Sequence, residues 1–593
     1  MSGSALDTPM MRQYLAVKQR HPDAIVFYRM GDFYEMFLED AERAAPLLDI
    51  ALTTRDKNKP DPVPMCGVPV HAADQHIQRL TALGHRVAIC EQVEDARRAG
   101  GRRLVRREVV EVVTPGLVGD PIGIAADHCV NLAALAGVGG TVGLAALDAS
   151  TGDFRTTQVD DRERALEELE RIGARELLLS SAQGEGAEPD LRAELARRLP
   201  DLVVTDVDPA AFDAATLEVR PVGLDALERD RDSAQALRAV AAVLHYLGVN
   251  QPFALAQAPR LRRYALSDTM ILDTATRTHL ELFENGEDRT RRGTLIELID
   301  RSTTGLGARR LARWLAYPLL EPAMIRVRQE CVAALGERDR LRARLREALR
   351  AVRDLERLLA RATRPSSVPR DLGQLRASLE ALPGVARALE QGDEDLLGEV
   401  GGLPPSLAAP EPVETLAALL REALVDEPPV IARGSRGANE TGYIRSGYRS
   451  ELDALREGAE KGREWIAGLE ASERARTGIA SLKVRFHPVH GYSLEVSKAQ
   501  LARVPDDYER KQTLANVERF TTDALREVEG RVLGANEGAA EIERALFDEL
   551  RDEVVARADA IRCAAEAVAE LDALASLAEV ARFHGWVRPE VDD

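Results

Sequence analysis

Two side chains near the N-terminus, Phe33 and Glu35, have the types and spacing to contact a displaced nucleic-acid base. They follow a Gly31-Asp32 turn, and on a β-strand residues two apart lie on the same face. There the aromatic ring could insert between stacked bases while the carboxylate accepts a hydrogen bond from one of them. The alternative is an ordinary strand–turn–strand with Phe33 in the core. The pattern alone favours this alternative, because buried aromatic rings greatly outnumber intercalating ones.

The elements that must hold this pair are two strands joined by a tight turn. Gly31 can take backbone angles that are closed to other residues, and Asp32 can hydrogen-bond the local backbone. Around them, residues 1–115 are typical of a mixed α/β domain, with buried strands predicted at Ile25–Tyr28 and Val109–Val113.

An arginine-rich tract lies in the same part of the chain. Six arginines occur between Arg97 and Arg107, on both sides of Gly100 and Gly101. Such a tract could be a loop that binds phosphate groups through its guanidinium side chains, or only a solvated, mobile loop. The sequence leaves these two alternatives equally open.

Residues 116–250 alternate predicted strands and helices, which indicates an α/β layer with partly parallel pairing. A predicted hairpin places Asp148 beside Gly152, in a manner that faintly resembles the first strand of ribonuclease-H-like folds. A nuclease of that kind needs several convergent carboxylates to hold two metal ions, and the sequence offers no convincing set. We therefore favour a structural role for Asp148.

From Ser233 onward the pattern is mostly helical, with one interruption. Arg449–Leu469 is amphipathic, the apolar period then changes to two on both sides of a loop at 487–491, and helical spacing returns from about Asp523 to Phe583. A helix, a basic β-hairpin and a returning helix would form a long arm with a positive end. The alternative is a coiled-coil spacer with a solvated tip, but positive charge in so acidic a protein favours nucleic acid.

The charge of the chain is unevenly distributed. The formal net charge is -19, yet residues 1–115 carry 16 basic and 16 acidic side chains, and residues 116–250 carry 12 and 24. Residues 474–519 carry nine basic and five acidic side chains. Because salt screens charges beyond ~8 Å, only the charge close to phosphate groups matters strongly. The overall acidity therefore does not exclude DNA, and we expect residues 116–250 to face away from it.

Composition argues against several other classes of protein. The five cysteines lie far apart without metal-ligand spacing, which suits a reducing cytoplasm and argues against a disulfide framework or a zinc site. The N-terminus does not have the pattern of a signal peptide, and no stretch of ~18 apolar residues could span a membrane. We predict a cytoplasmic protein with no metal site and no catalytic residue.

A collinear series of motifs along nearly all 593 residues resembles the MutS family of bacterial DNA mismatch recognition proteins. Any single motif would be weak evidence, whereas the ordered series is strong. Its most specific parts are Phe27–Phe37, Pro64–Ala72, Ala88–Gln92, Val113–Gly116, Leu272–Leu282, Thr477–Tyr492 and Gln512–Arg519.

The resemblance implies a multidomain fold with α/β domains first and a mostly helical part after them. The expected domains are a mixed-sheet mismatch-binding domain at 1–115, a ribonuclease-H-like connector at 116–250, a helical core with long lever helices at 251–445 and 521–593, and a clamp with a β-hairpin inserted in that core at 446–520.

The resemblance also implies roles for individual residues. In the family, the phenylalanine at the position of Phe33 stacks on a mispaired base from the minor groove of kinked DNA, and the glutamate at the position of Glu35 hydrogen-bonds that base. The same site acts on small insertion–deletion loops. By position in the motifs, the expected contacts to the DNA backbone are Arg55 and Arg107 in the first domain and Lys498, Arg510, Lys511, Gln512 and Asn516 in the clamp.

Two features depart from the family pattern. Val70 stands where the family often has tyrosine, which leaves the packing of that loop open. No GxxxxGK[ST] phosphate-binding motif occurs, and the family's ATPase domain would begin about where the chain stops, at Asp593. We favour a truncated chain over a natural relative without this domain. We therefore expect no enzymatic activity and no cofactor, since ATP and Mg²⁺ belong with the missing domain.

The implied partners are mismatched double-stranded DNA and a MutL-type repair protein that docks on the acidic connector. Intact family members are homodimers, but their principal dimer contacts lie in the missing part, so we do not expect this chain to dimerise. Three alternatives remain open. They are a MutS-related protein acting on recombination intermediates or branched DNA, a nuclease using the connector, and a non-catalytic helical scaffold. Several relatives of the first kind lack the Phe-x-Glu domain, so its presence in this sequence counts against that alternative.

Overall fold

The computed structural model describes most of the chain, which divides into two compact units. Unit 1 consists chiefly of Met1–Ala418 and Asp552–Asp593, and unit 2 of Leu419–Ile431 and Ser435–Arg551. Our division into four domains stays a prediction. The arginine-rich tract lies outside the described residues, apart from residues 105–107. The described residues are 5–55, 62–93, 105–118, 124–137, 140–181, 189–217, 219–256, 260–390, 411–429, 442–487 and 491–592.

Six strands form the first sheet of unit 1: β1 (Ala24–Met30), β2 (Phe33–Phe37), β3 (Thr53–Arg55), β4 (Val63–Pro69), β5 (Arg86–Gln92) and β6 (Arg107–Val113). Their order is β3-β4-β2-β1-β5-β6, with β1 and β5 parallel and the other neighbours antiparallel. The strands predicted in this region are confirmed. The helices that accompany the sheet are α1 (Pro9–Arg20), α2 (Glu39–Leu48) and α3 (Ala73–Ala82).

A buried carboxylate fastens α1 to this sheet. Asp40, in the first turn of α2, accepts hydrogen bonds from the Tyr14 hydroxyl and from Lys18 Nζ, each at 2.7 Å, and from the Val26 N–H at 3.0 Å. Burial, together with the charge of Asp40, raises the pKa of Tyr14, so its hydroxyl keeps its proton and stays a donor. Since Val26 lies in β1, two helices and one strand of the β1–β2 hairpin meet at one carboxylate.

The second sheet of unit 1 contains β7 (Asn131–Ala136), β8 (Val142–Asp148), β9 (Asp153–Val159), β10 (Ala174–Ser180), β11 (Val203–Val207) and β12 (Leu261–Arg263). Their order is β11-β10-β7-β8-β9-β12. β7, β8 and β9 form an antiparallel meander, and β10 and β11 continue the sheet in parallel beside β7. This is the ribonuclease-H-like arrangement that the resemblance implied. The accompanying helices are α4 (Arg162–Ile172), α5 (Pro189–Arg198), α6 (Leu224–Arg229), α7 (Ala234–Asn250) and α8 (Pro252–Ala256).

A glycine allows the close approach of α7 to this sheet. A Cβ atom at Gly143 would collide with the backbone of Gln235 and Ala236 at the start of α7. Only a residue without a side chain therefore fits at this point of β8. Beyond the contact, α7 buries most of its apolar residues, among them Val240 and Leu244, against the face of the sheet.

Helices account for most of the remaining described residues. In chain order they are α9 (Thr274–His279), α10 (Leu295–Ile299), α11 (Gly305–Ala316), α12 (Pro322–Glu337), α13 (Asp339–Arg350), α14 (Leu355–Ala362), α15 (Pro369–Glu390), α16 (Glu411–Ala423), α17 (Ser450–Thr477), α18 (Asp523–Ala556) and α19 (Ala558–His584). The helical pattern predicted from about Asp523 to Phe583 is confirmed, but it forms two helices, because the backbone leaves helical angles at Arg557, where φ is -109°.

Within unit 1, α19 is the central helix and packs against α11, α12, α13 and α14. Its buried face consists largely of alanines, which permit close helix packing. Asp572 is fully buried there and accepts the backbone N–H groups of Thr303 and Thr304, at 3.0 and 2.7 Å. It therefore satisfies donors at the start of α11 that would otherwise lack partners.

Unit 2 has an antiparallel sheet between α17 and α18. Its strands are β13 (Lys483–His487), β14 (Gly491–Ser497), β15 (Glu509–Thr513) and β16 (Val517–Thr521), in the order β13-β14-β16-β15. The predicted hairpin, β13 with β14, is confirmed, and residues 488–490 of its loop lie outside the described residues. The sequence analysis did not find β15 and β16. A core that includes Ile466, Leu482 and Leu494 joins the sheet to both helices.

Candidate nucleic-acid interface

The turn between β1 and β2 presents Phe33 to solvent. Met30 pairs with Phe33, so Gly31 and Asp32 alone make the connection, and Gly31 has φ of +62°. A positive φ at the first turn residue, with a two-residue loop, is typical of a type II′ hairpin turn and favours glycine. The N–H of Val70 donates to the Asp32 carbonyl oxygen at 3.0 Å, which fixes the turn to the end of β4.

The start of β2 is exposed on one face, whereas the rest of the strand is largely buried. Tyr34 and Met36 point into the core, whereas Phe33 is 47% exposed and Glu35 is half-buried beside it. The interpretation that the pattern alone favoured, with Phe33 in the core, is therefore wrong. Every other aromatic side chain of this hairpin, including Phe37, is buried. An exposed ring on a strand whose remaining aromatics are buried is available for a ligand.

Glu35 has an acceptor oxygen with no hydrogen bond to any described residue. Its Oε2 atom is buried, and its ion-pair contact is with Arg55 Nη1 at 3.9 Å, beyond hydrogen-bond distance. Burial raises the pKa of Glu35 above its ordinary value, although the Arg55 and Arg107 guanidinium groups act in the opposite direction. Leaving a buried acceptor without a donor costs free energy that a bound donor would recover.

Arg55, on β3, lies next to this carboxylate and remains about one-third exposed. Its guanidinium group contacts Met30 Sδ at 3.7 Å and lies 5.9 Å from the centre of the Phe37 ring. It is held near the hairpin by weak contacts that leave hydrogen-bond donors available. This arrangement is compatible with the predicted contact to a DNA backbone.

Arg107 is placed differently. It is buried, its Nε donates to the Arg29 carbonyl oxygen at 2.7 Å and its Nη1 donates to the Val105 carbonyl oxygen at 3.1 Å. Its guanidinium carbon also lies 5.0 Å from the centre of the Tyr28 ring. These contacts hold β6 to the sheet. The predicted phosphate contact of Arg107 stays untested, and this geometry does not support it.

In unit 2, the five residues predicted to contact DNA lie on or beside the antiparallel sheet, and two of them come together. The backbone N–H of Lys498 donates to the Asn516 carbonyl oxygen at 3.3 Å, and both side chains are exposed. Neither side chain has a hydrogen bond or ion pair with another described residue. Lys498 and Asn516 therefore present free polar groups at one end of the two central strands, β14 and β16.

The other three predicted residues have protein partners. Arg510 Nε donates to Glu518 Oε2 at 2.8 Å, and Gln512 Oε1 accepts a hydrogen bond from Arg519. Lys511 Nζ donates to a backbone carbonyl oxygen at 3.3 Å and lies 3.9 Å from a glutamate carboxylate. A phosphate group would have to compete with these partners.

The sequence analysis missed one exposed ring in the same sheet. The apolar period of two over Leu482, Val484 and Phe486 predicted the strand but gave no indication that the last ring would be exposed. Phe486 is 55% exposed and packs against Tyr492, with ring centres 4.9 Å apart. The sequence signal that could have indicated this exposure is the position of Phe486 between Arg485 and His487, next to the loop of the hairpin.

Asp148 lies at the end of β8 and is fully buried. Its Oδ1 accepts hydrogen bonds from the Ser150 N–H at 2.9 Å and the Ser150 hydroxyl at 2.7 Å, and burial raises its pKa. This arrangement agrees with a structural role. Within the described ranges, no group of three or more His, Cys, Asp or Glu side chains could hold a metal ion, and no helix has the length and apolar character to cross a membrane.

Comparison with known proteins identifies the family. Three family models match this chain: MutS domain I at residues 8–121, MutS domain II at 130–258 and MutS domain III at 275–578. The chain belongs to the MutS family. The resemblance found from the sequence motifs is thus confirmed, and Phe33 and Glu35 lie in the part that matches MutS domain I.

Individual MutS proteins match almost the whole chain. The DNA mismatch repair protein MutS of Anaeromyxobacter dehalogenans (strain 2CP-C) is 47% identical over 588 residues, which cover 99% of this chain and 64% of that protein. Those of Myxococcus xanthus and Syntrophobacter fumaroxidans are 42% and 41% identical over 596 residues, covering 99% of this chain and 64% and 65% of those proteins. The chain therefore spans just under two thirds of the length of these relatives.

Proposed function

We propose that this chain recognises base mismatches and small insertion–deletion loops in duplex DNA, as the first step of mismatch repair. Phe33 stacks on the mispaired base from the minor groove of kinked DNA, and Glu35 accepts a hydrogen bond from that base. The observation that carries the proposal is the exposed Phe33 ring beside a buried Glu35 oxygen without a donor, in a chain of the MutS family.

Selectivity follows from the energy needed to open a base step. Unstacking a step costs a few kcal/mol, and less where the bases already pair poorly. Stacking on an aromatic side chain returns ~1–3 kcal/mol per base. The free energy gained by stacking therefore exceeds the cost of opening the base step at a mismatch, but not in paired DNA. A mismatch is therefore detected by its deformability, and no separate contact is needed for each base sequence.

Glu35 adds discrimination through its charge and its free acceptor. A carboxylate next to phosphate groups is repelled, and in the minor groove paired bases present mainly acceptors, with the guanine amino group as the one donor. A displaced base does offer a donor to Oε2. Since burial has already raised the pKa of Glu35, the group can also share a proton with the base when DNA brings more negative charge.

Contacts to the DNA backbone supply affinity without sequence preference. We assign these first to Arg55, Lys498 and Asn516, whose side chains are at least partly exposed and are not held by hydrogen bonds to carboxylates. Arg510, Lys511 and Gln512 would contribute less, because each already has a protein partner. We further propose a MutL-type repair protein as the partner of the acidic residues 116–250.

The test is a titration of two labelled duplexes that differ by one mispaired base, followed by fluorescence anisotropy. The wild-type chain should bind the mismatched duplex more tightly. Phe33→Ala should lose about 1–3 kcal/mol of mismatch affinity and leave binding to matched DNA unchanged. Leu83→Ala, which removes an exposed apolar side chain from the C-terminus of α3, is the matched control. An unchanged preference in Phe33→Ala would refute the proposal.

A further inference from the structure

Unit 1 contains a cavity of about 540 Å³ between the second sheet and the helices α9, α11 and α19. Among the described residues that line it there are twelve arginines and five carboxylates. The lining also includes the apolar residues Phe154, Phe283 and Leu306, of which only Phe283 is partly exposed. Ligand-binding cavities commonly have volumes of about 300–1,000 Å³, so this one is large enough for a small molecule.

Carboxylates neutralise only some of these arginines. Arg309 makes a two-point contact with Asp354, at 2.7 and 2.9 Å, and Arg262 pairs with Glu566. Asp153 has to serve two arginines, since it pairs with Arg313 and lies 3.9 Å from Arg155 Nε. The lining therefore carries positive charge in excess of its carboxylates.

Three lining arginines, Arg260, Arg277 and Arg310, have no ion pair within 4 Å in the described part of the chain, and Arg260 contacts only Cys563 Sγ, at 4.0 Å. The Arg310 guanidinium group has no hydrogen bond to a described residue either, and Arg277 donates only to the Thr274 hydroxyl at 3.2 Å. Burial lowers the pKa of Arg277 and Arg310, and neighbouring guanidinium groups lower it further. Holding these charges in place therefore costs free energy that an anion would offset.

Deeper in the cavity, buried arginine nitrogens also lack acceptors. The Arg171 side chain is almost fully buried, and its Nη1 atom forms an ion pair with Glu168 Oε2 at 3.4 Å. Its Nε and Nη1 atoms nevertheless have no hydrogen bond to a described residue, and the same is true of Arg155 Nε. Both guanidinium groups lie over the Tyr317 ring, at 5.2 and 5.5 Å from its centre. This contact fixes their planes and leaves donor directions open.

We propose that this cavity binds a small polyphosphate, either free or as part of a nucleotide. Guanidinium groups present planar sets of donors that match phosphate oxygens, and a chain of linked phosphates carries enough negative charge to balance several arginines. The cavity volume accommodates a molecule of nucleotide size. The partly exposed Phe283 ring gives a base or another apolar group a surface to pack against.

The test is calorimetric titration of the 593-residue chain with two probes, sodium tripolyphosphate and ATP. The double variant Arg277→Gln/Arg310→Gln should weaken binding of tripolyphosphate by at least about tenfold, because each side chain supplies charged donors to phosphate. The matched control is Arg340→Gln, which removes an exposed arginine of α13 outside the cavity and should change affinity by less than about twofold. Tighter binding of ATP would identify a nucleotide, and equal binding a free polyphosphate.

If the double variant does not fold properly, a second measurement tests the proposal, namely the change in Tm that tripolyphosphate causes in the wild-type chain and in single variants. Tripolyphosphate should raise the Tm of the wild-type chain and of Arg340→Gln by the same amount, and that of the single variant Arg310→Gln by less. The Arg310 guanidinium group has no ion-pair or hydrogen-bond partner in the described part of the chain, so its removal should not alter the fold. Absence of binding by the wild-type chain at millimolar probe, or equal binding by all variants, would overturn the proposal. So would binding of a short single-stranded oligonucleotide, but not tripolyphosphate, through the same arginines.

Discussion

The β1–β2 hairpin of unit 1 and the four-stranded sheet of unit 2 offer nucleic acid two different kinds of surface. The hairpin presents one ring and one carboxylate on a rigid strand, and the carboxylate has a buried oxygen without a donor. The sheet presents several basic and polar side chains, of which three already contact protein groups. The difference is the one expected between groups that select a base and groups that hold a backbone.

The largest expected effect tests whether the hairpin depends on the rigid sheet behind it. Asp40→Ala leaves Lys18 without its buried partner and removes the acceptor of Tyr14 and Val26. Losing one partner of a buried, hydrogen-bonded pair costs about 3–5 kcal/mol. Amide hydrogen exchange of β1 should report an opening free energy reduced by this amount. The ratio of affinities for mismatched and matched DNA should fall together with this opening free energy, because the hairpin that carries Phe33 is then held less firmly.

The control for this variant is Glu42→Ala, on the exposed side of α2. Glu42 has no hydrogen bond or ion pair with another described side chain, so exchange in β1 should change by less than about 0.5 kcal/mol. Equal protection of β1 in Asp40→Ala and Glu42→Ala would show that the buried carboxylate does not stabilise the hairpin.

The next effect concerns Glu35 and pH. Burial raises the pKa of Glu35, and the phosphates of bound DNA should raise it further, so binding takes up a proton. Mismatch affinity should therefore increase as pH falls toward this pKa and decrease as pH rises through it. Glu35→Gln should flatten this dependence, and Glu35→Ala should reduce the preference for mismatched over matched DNA by about tenfold. A wild-type pH profile identical to that of Glu35→Gln would contradict this role.

A smaller effect is expected in unit 2. Lys498→Gln removes one free cation, so it should weaken binding to matched and mismatched duplexes equally. It should also lower the slope of log affinity against log salt by about one unit. Lys461→Gln is the control, because Lys461 is exposed on α17 and already pairs with Glu457 at 2.6 Å. If Lys498→Gln changed the preference for mismatched DNA, it would be wrong that the hairpin selects the base and the sheet of unit 2 only holds the DNA backbone.

The smallest effect is predicted for Arg510→Gln. Arg510 already contacts Glu518 at 2.8 Å, so a phosphate gains little from it, and the salt slope should change by less than half of the Lys498→Gln effect. Titrations of the two variants at the same series of salt concentrations measure this ratio. Equal slopes would show that Glu518 does not compete with DNA for Arg510.

Regular patterns in the sequence predicted much of the fold. The strands at Ile25–Tyr28 and Val109–Val113 and the hairpin after Leu482 were found because apolar residues cluster or alternate there. β15 was missed because Glu509–Thr513 is polar throughout and gives no alternation. The break at Arg557 was missed because the apolar helical spacing continues across it.

The candidate site was less predictable, because burial depends on contacts between distant segments. Phe33 and Tyr34 are both aromatic, and only the pairing with β4 determines which of them points outward. Arg107 belongs to an arginine-rich tract, yet a ring from β1 and two carbonyl oxygens bury it. The arginine cavity gave no signal at all, since its side chains come from segments as far apart as Arg155 and Arg562.

The most direct test of the central claim is a photochemical crosslink from the mispaired base itself. A duplex carrying 5-iodouracil at the mispaired position is bound, irradiated and digested, and the crosslinked peptide is identified by mass spectrometry. We predict a crosslink to the peptide that contains Phe33, and none there from the matched duplex. A crosslink to the exposed ring of Phe486 in unit 2 instead, or equal yield from matched DNA, would contradict the account.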